Sequence, residues 1–116
     1  MRHQKKKITL DKKNSTRRAL FTNMAESLII YEKITTTKAK ARLTSSLVEK
    51  LITKAKKQDL SARRDLISLL YTQNAVKKLM DVLAPRYKDK KGGYTRTTTV
   101  KNRIGDGAIE VVLELV

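Results

Sequence analysis

This chain of 116 residues contains no cysteine, which excludes disulfides, thiolate metal sites and thiol nucleophiles. Its single histidine, His3, sits in a basic stretch with no partner for acid–base work, and one histidine without cysteine does not make a usual zinc cluster. Tryptophan is absent and only Phe21, Tyr31, Tyr71, Tyr87 and Tyr94 are aromatic, so aliphatic side chains must build most of the core. No run approaches the roughly 20 apolar residues that a membrane span needs. The opening MRHQKKKITLDKKN has no apolar stretch behind its charges, unlike a secretory signal. The glycines do not form a phosphate loop, because Gly92-Gly93 lacks the GxxxxGK[ST] spacing. Asp106 and Glu110 read as acids flanking a turn, not as a catalytic pair. These absences point to a soluble, intracellular protein that is not an enzyme, with no cofactor, metal or small-molecule substrate.

Acid is also scarce. Eleven Asp and Glu face 27 Lys and Arg, a net charge of +16. Such a field opposes folding by self-repulsion and is usually kept because a polyanion neutralises it. Nucleic acid is the first such partner and an anionic membrane the competing one. The charge is uneven. Residues 1–18 hold Arg2, Lys5, Lys6, Lys7, Lys12, Lys13, Arg17 and Arg18 against Asp11 alone. Residues 84–103 hold Arg86, Lys88, Lys90, Lys91, Arg96, Lys101 and Arg103 against Asp89 alone. The pattern is that of two adhesive segments attached to a better-balanced body, with 1–14 an extended arm of a single domain.

Periodicity outlines the body. Asn14, Ser15 and Thr16 offer N-cap oxygens ahead of an apolar stripe, Leu20, Phe21, Met24, Ala25, Leu28 and Ile29, which predicts a helix over 16–31. Residues 32–36 are β-branched and predict a short strand. A second helix is expected over 38–57, with Leu43, Leu47, Val48, Leu51, Ile52 and Ala55 inward. Its Lys50, Lys54 and Lys57 read more readily as a solvated face than as a binding one. Asp59 and Ser61 suggest caps for a third helix with Leu66, Ile67, Leu70 and Tyr71 inward. Asn74 is placed to cap a fourth carrying Val76, Leu79, Met80 and Leu83, and Pro85 should stop it at Ala84. The end, GAIEVVLELV, alternates with period two and predicts a strand with Ile109, Val111, Leu113 and Leu115 on one face. Gly105-Asp106-Gly107 would turn the chain back from YTRTTTVKNR to form a hairpin. The expected class is α+β, with about four helices on a two- or three-stranded sheet.

The functional reading concentrates on the basic segments. Lys and Arg neutralise phosphates and release counterions. Gly92 and Gly93 let the backbone bend and approach a phosphate. Tyr94 is a candidate to stack on a base, Thr95, Thr97, Thr98 and Thr99 to donate to phosphate or 2′-OH groups, and Arg96 to fork onto a phosphate. Extended arms on a small body, with no recognisable groove-reading helix, suit folded RNA. A DNA-binding nucleoid or regulatory protein remains the alternative.

The residues also resemble a known family. MRH at the start, NST-R at Asn14 to Arg17, LFTNMAESLI at Leu20 to Ile29, E-ITTT-KAKA-R across Glu32 to Arg42 and VEKLITKAK at Val48 to Lys56 are similar to the bacterial large-subunit ribosomal protein family numbered seventeen. Arg63-Arg64, Pro85-Arg86, GGYTR at Gly92 to Arg96, R-GD at Arg103 to Asp106 and the closing LELV extend the resemblance over nearly the whole chain. It departs in the lysine run Lys5 to Lys7 and at Glu110. The resemblance implies a structural constituent of the large ribosomal subunit with a small α+β fold. It implies a cytoplasmic protein that binds large-subunit rRNA beside other ribosomal proteins, on the side where the nascent chain leaves. Its binding residues carry over to Arg2, His3, Ser15, Arg17, Arg18, Lys38, Lys40, Arg42, Arg86, Tyr94, Arg96 and Arg103.

Overall fold

The computed structural model describes residues 9–116. Helix α1 spans Asn14–Tyr31, strand β1 Lys33–Thr37, helix α2 Lys38–Ala55 and helix α3 Leu60–Leu69. Helix α4 begins at Gln73–Lys78 and runs on through a π-helical turn, Leu79–Leu83, into a last α turn, Ala84–Arg86. Strands β2, Thr95–Asn102, and β3, Ile109–Leu115, follow. The three strands form one antiparallel sheet in the order β1-β3-β2. The expected α+β class, the third strand from 32–36 and the C-terminal hairpin are therefore all present, with the last strand at the centre.

The alternation read in the last strand decides which side of the sheet is covered. Val111 and Leu113 are buried against the helices, and α1 and α2 both pack on the sheet. Helix α1 contributes Ala25, Leu28 and Ile29 to the core and α2 contributes Val48, Leu51 and Ile52. The two apolar stripes thus cover each other. Leu20, Phe21, Met24, Leu43 and Leu47, expected inward, are only half-buried at the edge of this contact.

The helix ends depart from the sequence expectation for local reasons. Asn14 does not cap α1: its Oδ1 accepts from Arg17 Nη2 at 2.8 Å, and the residue before the helix, Lys13, makes no side-chain cap bond. Asp59 does cap α3, accepting the N–H of Ala62 at 2.6 Å. In α3 the inward row is Ala62, Leu66 and Leu70, four residues apart. One step round the helix, Ile67 is 53% exposed, and Tyr71, beyond its end, is 62% exposed. Asn74 does not cap α4. The chain leading into α4 is held instead by Glu26 of α1, a carboxylate only 8% exposed, whose Oε1 accepts the N–H groups of Tyr71 at 2.6 Å and Thr72 at 2.8 Å. A charged acceptor buried on two backbone donors is a strong contact, and its loss strands both donors. Glu26→Ala is therefore expected to cost about 2–3 kcal/mol, more than Glu26→Gln, which keeps one carbonyl acceptor. Urea unfolding of the two variants checks the order.

Pro85 does not end the helix at Ala84. A proline inside an α-helix clashes with the carbonyl four residues back. Here the wider π turn comes first: the Ala84 N–H reaches Leu79 O, five residues back, and Pro85 enters at the start of a fresh α turn, where its missing N–H is not needed. The turn closes with Tyr87 N–H on Leu83 O at 3.0 Å.

Candidate nucleic-acid interface

The chain turns from α1 into β1 at Glu32, which takes a left-handed conformation with φ of 63°. Its N–H caps α1 on Leu28 O at 2.8 Å, and its carbonyl accepts from Leu115 at 3.0 Å. Its carboxylate takes the fork of Arg86, with Nη1 at 3.0 Å and Nη2 at 2.9 Å, and also pairs with Lys78 at 3.1 Å. The Arg86 fork, helped by Lys78 and opposed by partial burial, lowers the Glu32 pKa to about 2 from an ordinary 4.5. A depressed carboxylate adds stability above its unfolded pKa and loses it as pH falls. The contribution of Glu32 is thus complete above about pH 4.5 and lost on the way down to about pH 2. Glu32→Gln is expected to flatten the acid-unfolding profile in that window, and acid titration followed by circular dichroism reads it.

Arg86 thus spends its fork on Glu32 within the protein. Four more expected binding residues also have partners within the protein. Arg96 directs Nε at 3.0 Å and Nη2 at 2.7 Å onto Glu114 Oε1. Glu114 stands between Lys33 on β1 and Arg96 on β2, and Arg96 first, then Lys33, pulls its pKa down. Arg103 pairs with Asp106 across the hairpin turn. Thr95 Oγ1 donates to Glu49 at 2.9 Å and shares a 2.6 Å bond with Ser45.

Tyr94 is the fourth of these. Its side chain is 1% exposed, so no base can stack on it. Its ring lies 5.0 Å from that of Tyr87, and its hydroxyl donates to Lys90 O at 3.1 Å. Lys56 donates to the same hydroxyl at 3.1 Å and stands 5.4 Å from the ring centre. That ammonium holds the phenol below its ordinary pKa against the opposing pull of burial. Tyr94 is a strut that fixes the basic loop to α2, and its aromatic character is used in the core.

Many other cations form no ion pair among the described residues, and they are spread over the surface; Lys38, Arg42, Lys50 and Lys57 are the ones that share a helix face. Positions 38, 42, 46, 50, 53 and 57 recur three or four apart and share one face of α2 and its end. Strand β2 and the loop before it lie along this face. At one end a hollow of about 260 Å³ is lined by Lys38, Arg42, Ser45 and Thr97. At the other a groove of about 450 Å³ is lined by Glu49, Lys50 and Lys54 from α2, by Lys57 just past its end and by Lys91 and Gly92 from the loop. The face is about 28 Å long at 1.5 Å per residue, enough to follow several phosphates. Gly92 and Gly93 are exposed at its rim, and Gly93 has a φ of +65° that favours glycine.

The structure places Lys38 and Arg42 at one end of this face and Lys91 and Gly92 at the other, and leaves other expected residues off it. Lys40 lies on the opposite side of α2, beside Leu20 and Met24. Lys12, Lys13 and Ser15 are exposed at the start of α1, with Arg17 braced on Asn14 and Arg18 at the edge of a separate hollow with Phe21 and Leu47. Lys88 is exposed and Lys90 half-buried. Arg2, His3, Lys5, Lys6 and Lys7 lie outside the described residues. Lys50 and Lys57 are the additions. Their spacing on α2 was visible in the sequence, but their convergence with Lys91 needs the packing of Tyr94.

Among the described residues no group of three or more His, Asp and Glu side chains is disposed to hold a metal, and no helix is long and apolar enough to cross a membrane. Comparison with known proteins gives a consistent result. The chain is 45% identical to the large ribosomal subunit protein bL17 of Syntrophotalea carbinolica, over 100% of this chain and 75% of the relative. It is 49% identical to that of Hyphomonas neptunium, over 100% of this chain and 83% of the relative. It is 50% identical to that of Endomicrobium trichonymphae, over 89% of this chain and 88% of the relative. Residues 20–116 match the family model described as Ribosomal protein L17, and the chain belongs to that family.

Proposed function

We propose that this protein is a structural constituent of the large ribosomal subunit that binds large-subunit rRNA along the α2 face and its flanking loop. The observation that carries the reading is the row of cations, Lys38, Arg42, Lys50, Lys57 and Lys91, gathered on one face without acid partners. Such a row self-repels in the free protein and is relieved when phosphates replace condensed counterions. The chain acts as one rRNA-binding domain, with residues 1–14 as a basic arm adding Arg2, His3 and Lys5 to Lys7. Exposed Thr97, Thr98 and Thr99 on β2 supply hydroxyl donors beside the phosphates. By family resemblance it works in the cytoplasm, next to other large-subunit proteins, on the side where the nascent chain emerges. Its role is to hold folded RNA in place, not to catalyse.

The test is sedimentation of the tagged protein from cells on a sucrose gradient. The protein is expected in the large-subunit fraction. Migration as free protein, or with DNA as the nucleoid reading predicts, contradicts the proposal.

A further inference from the structure

Positive charge is not spread evenly along the α2 face. Lys38 and Arg42 stand at one end, and Lys50 and Lys57 at the other with Lys91 from the loop. Arg42 and Lys50 are eight residues apart, about 12 Å along the helix axis. The positions of this face that fall between them are Ser45, Ser46 and Glu49. The middle of a basic face therefore carries hydroxyls and one acid.

That acid is held in place by a short relay. Glu49 Oε1 accepts from Thr95 Oγ1 at 2.9 Å, and Thr95 Oγ1 lies 2.6 Å from Ser45 Oγ. A hydroxyl has one proton to give. Thr95 spends its proton on Glu49, so Ser45 is the donor in the second bond. The relay runs from Ser45 through Thr95 to the carboxylate, and what it leaves over are acceptors: the lone pairs of Ser45 in one hollow and the second carboxylate oxygen of Glu49 in the other. Among the described residues Glu49 forms no ion pair. The relay ties α2 to β2 and fixes these acceptors before any ligand arrives, which lowers the cost of binding.

An acceptor-only centre between two cationic ends selects its ligand. A phosphate is repelled by a carboxylate, so a single strand laid along the helix would pass its phosphates over Glu49. A 2′-hydroxyl is a donor as well as an acceptor and has a proton for that carboxylate. Phosphates at both ends with 2′-hydroxyls between them are what the wide, shallow minor groove of an A-form duplex presents.

We propose that α2 lies across the minor groove of a double-stranded segment of RNA. Lys38 and Arg42 take one backbone, Lys50, Lys57 and Lys91 take the other, and Glu49 accepts from a 2′-hydroxyl between them. The inference deepens the rRNA-binding reading above and rests on it. It also gives this face a reason to prefer RNA to DNA, which has no 2′-hydroxyl to donate.

The test measures binding of the full-length protein at about 0.1 M salt to three probes. The first is an RNA duplex of about 16 base pairs, the length that minor-groove readers of RNA span. The second is the same duplex with 2′-O-methyl groups, which keeps the A-form and the phosphates but has no proton to donate. The third is one of its strands, chosen without self-pairing. The unmodified duplex is expected to bind about tenfold more tightly than either of the others, as the loss of one hydrogen bond to a charged group implies. Equal binding of the methylated duplex or of the single strand overturns the inference and leaves RNA binding itself standing. Failure to bind any of the three counts against the rRNA-binding reading. Glu49→Ala adds a second measurement. Removal of an acid from a plain cationic face tightens binding to every probe alike, whereas here the ratio between unmodified and methylated duplex is expected to collapse toward one. Glu49→Gln keeps a carbonyl acceptor and is expected to keep part of that ratio. A ratio that survives Glu49→Ala overturns the role given to Glu49, and the comparison of probes on the parent protein stands whether or not that variant folds.

Discussion

Tyr94→Ala is expected to destabilise the protein by about 3–5 kcal/mol, a large share of the roughly 5–15 kcal/mol that holds a typical domain together. The loss has two parts. The ring is one of the largest fully buried side chains, packed on Tyr87 at 5.0 Å, and removing it leaves a cavity. The hydroxyl also bonds both the Lys56 ammonium and the Lys90 carbonyl, which bond each other directly as well, so truncation removes two hydrogen bonds and leaves that direct one in place. Tyr94→Phe keeps the ring and isolates the second part, at about 1 kcal/mol. Urea unfolding measures both. The base-stacking role that the sequence suggested predicts the opposite pattern: weaker RNA binding with unchanged stability.

The other large effect is on binding. The combined variant Lys38→Ala, Arg42→Ala, Lys50→Ala and Lys91→Ala removes four cations from one face. Each phosphate contact sets about 0.7–0.9 of the slope of log K against log salt. The slope is therefore expected to fall by roughly three, and affinity near 0.1 M salt by about a thousandfold. Folding should be preserved, since all four side chains lie at the surface of the groove and none forms an ion pair. Arg96→Ala is the informative contrast. Its guanidinium is already on Glu114, so it should change the salt slope much less than any one of the four. Binding to an rRNA fragment at several salt concentrations reads both.

The parts of this molecule legible in its sequence are those governed by short-range periodicity. Period two in GAIEVVLELV placed Val111 and Leu113 inward, and the spacing of Val48, Ile52 and Ala55 fixed the buried side of α2. Pairing with distant partners was not legible. Nothing near Gln73 reveals that the chain entering its helix is held by the carboxylate of Glu26, 45 residues upstream of Tyr71. Pro85 reads as a stop unless the π turn before it is known.

The binding face shows the same division. Composition pointed to a polyanion partner and charge density to candidate segments. Density does not reveal which arginines have carboxylates waiting for them. Glu32, Glu114 and Asp106 come within reach of Arg86, Arg96 and Arg103, two of these by folding and one across a tight turn. The threonine and tyrosine of GGYT suggested RNA contact by residue type, but Tyr94 and Thr95 point inward, to Lys56 and to Ser45 with Glu49. The lysines of α2 gained significance only when the loop was set beside them.

A density map of the assembled large subunit tests the central claim most directly. Phosphate oxygens are expected within about 4 Å of the Lys38, Arg42, Lys50 and Lys91 side-chain nitrogens, the range of a charge-assisted contact. A map in which the α2 face looks onto solvent or another protein, with RNA held elsewhere on the chain, contradicts it.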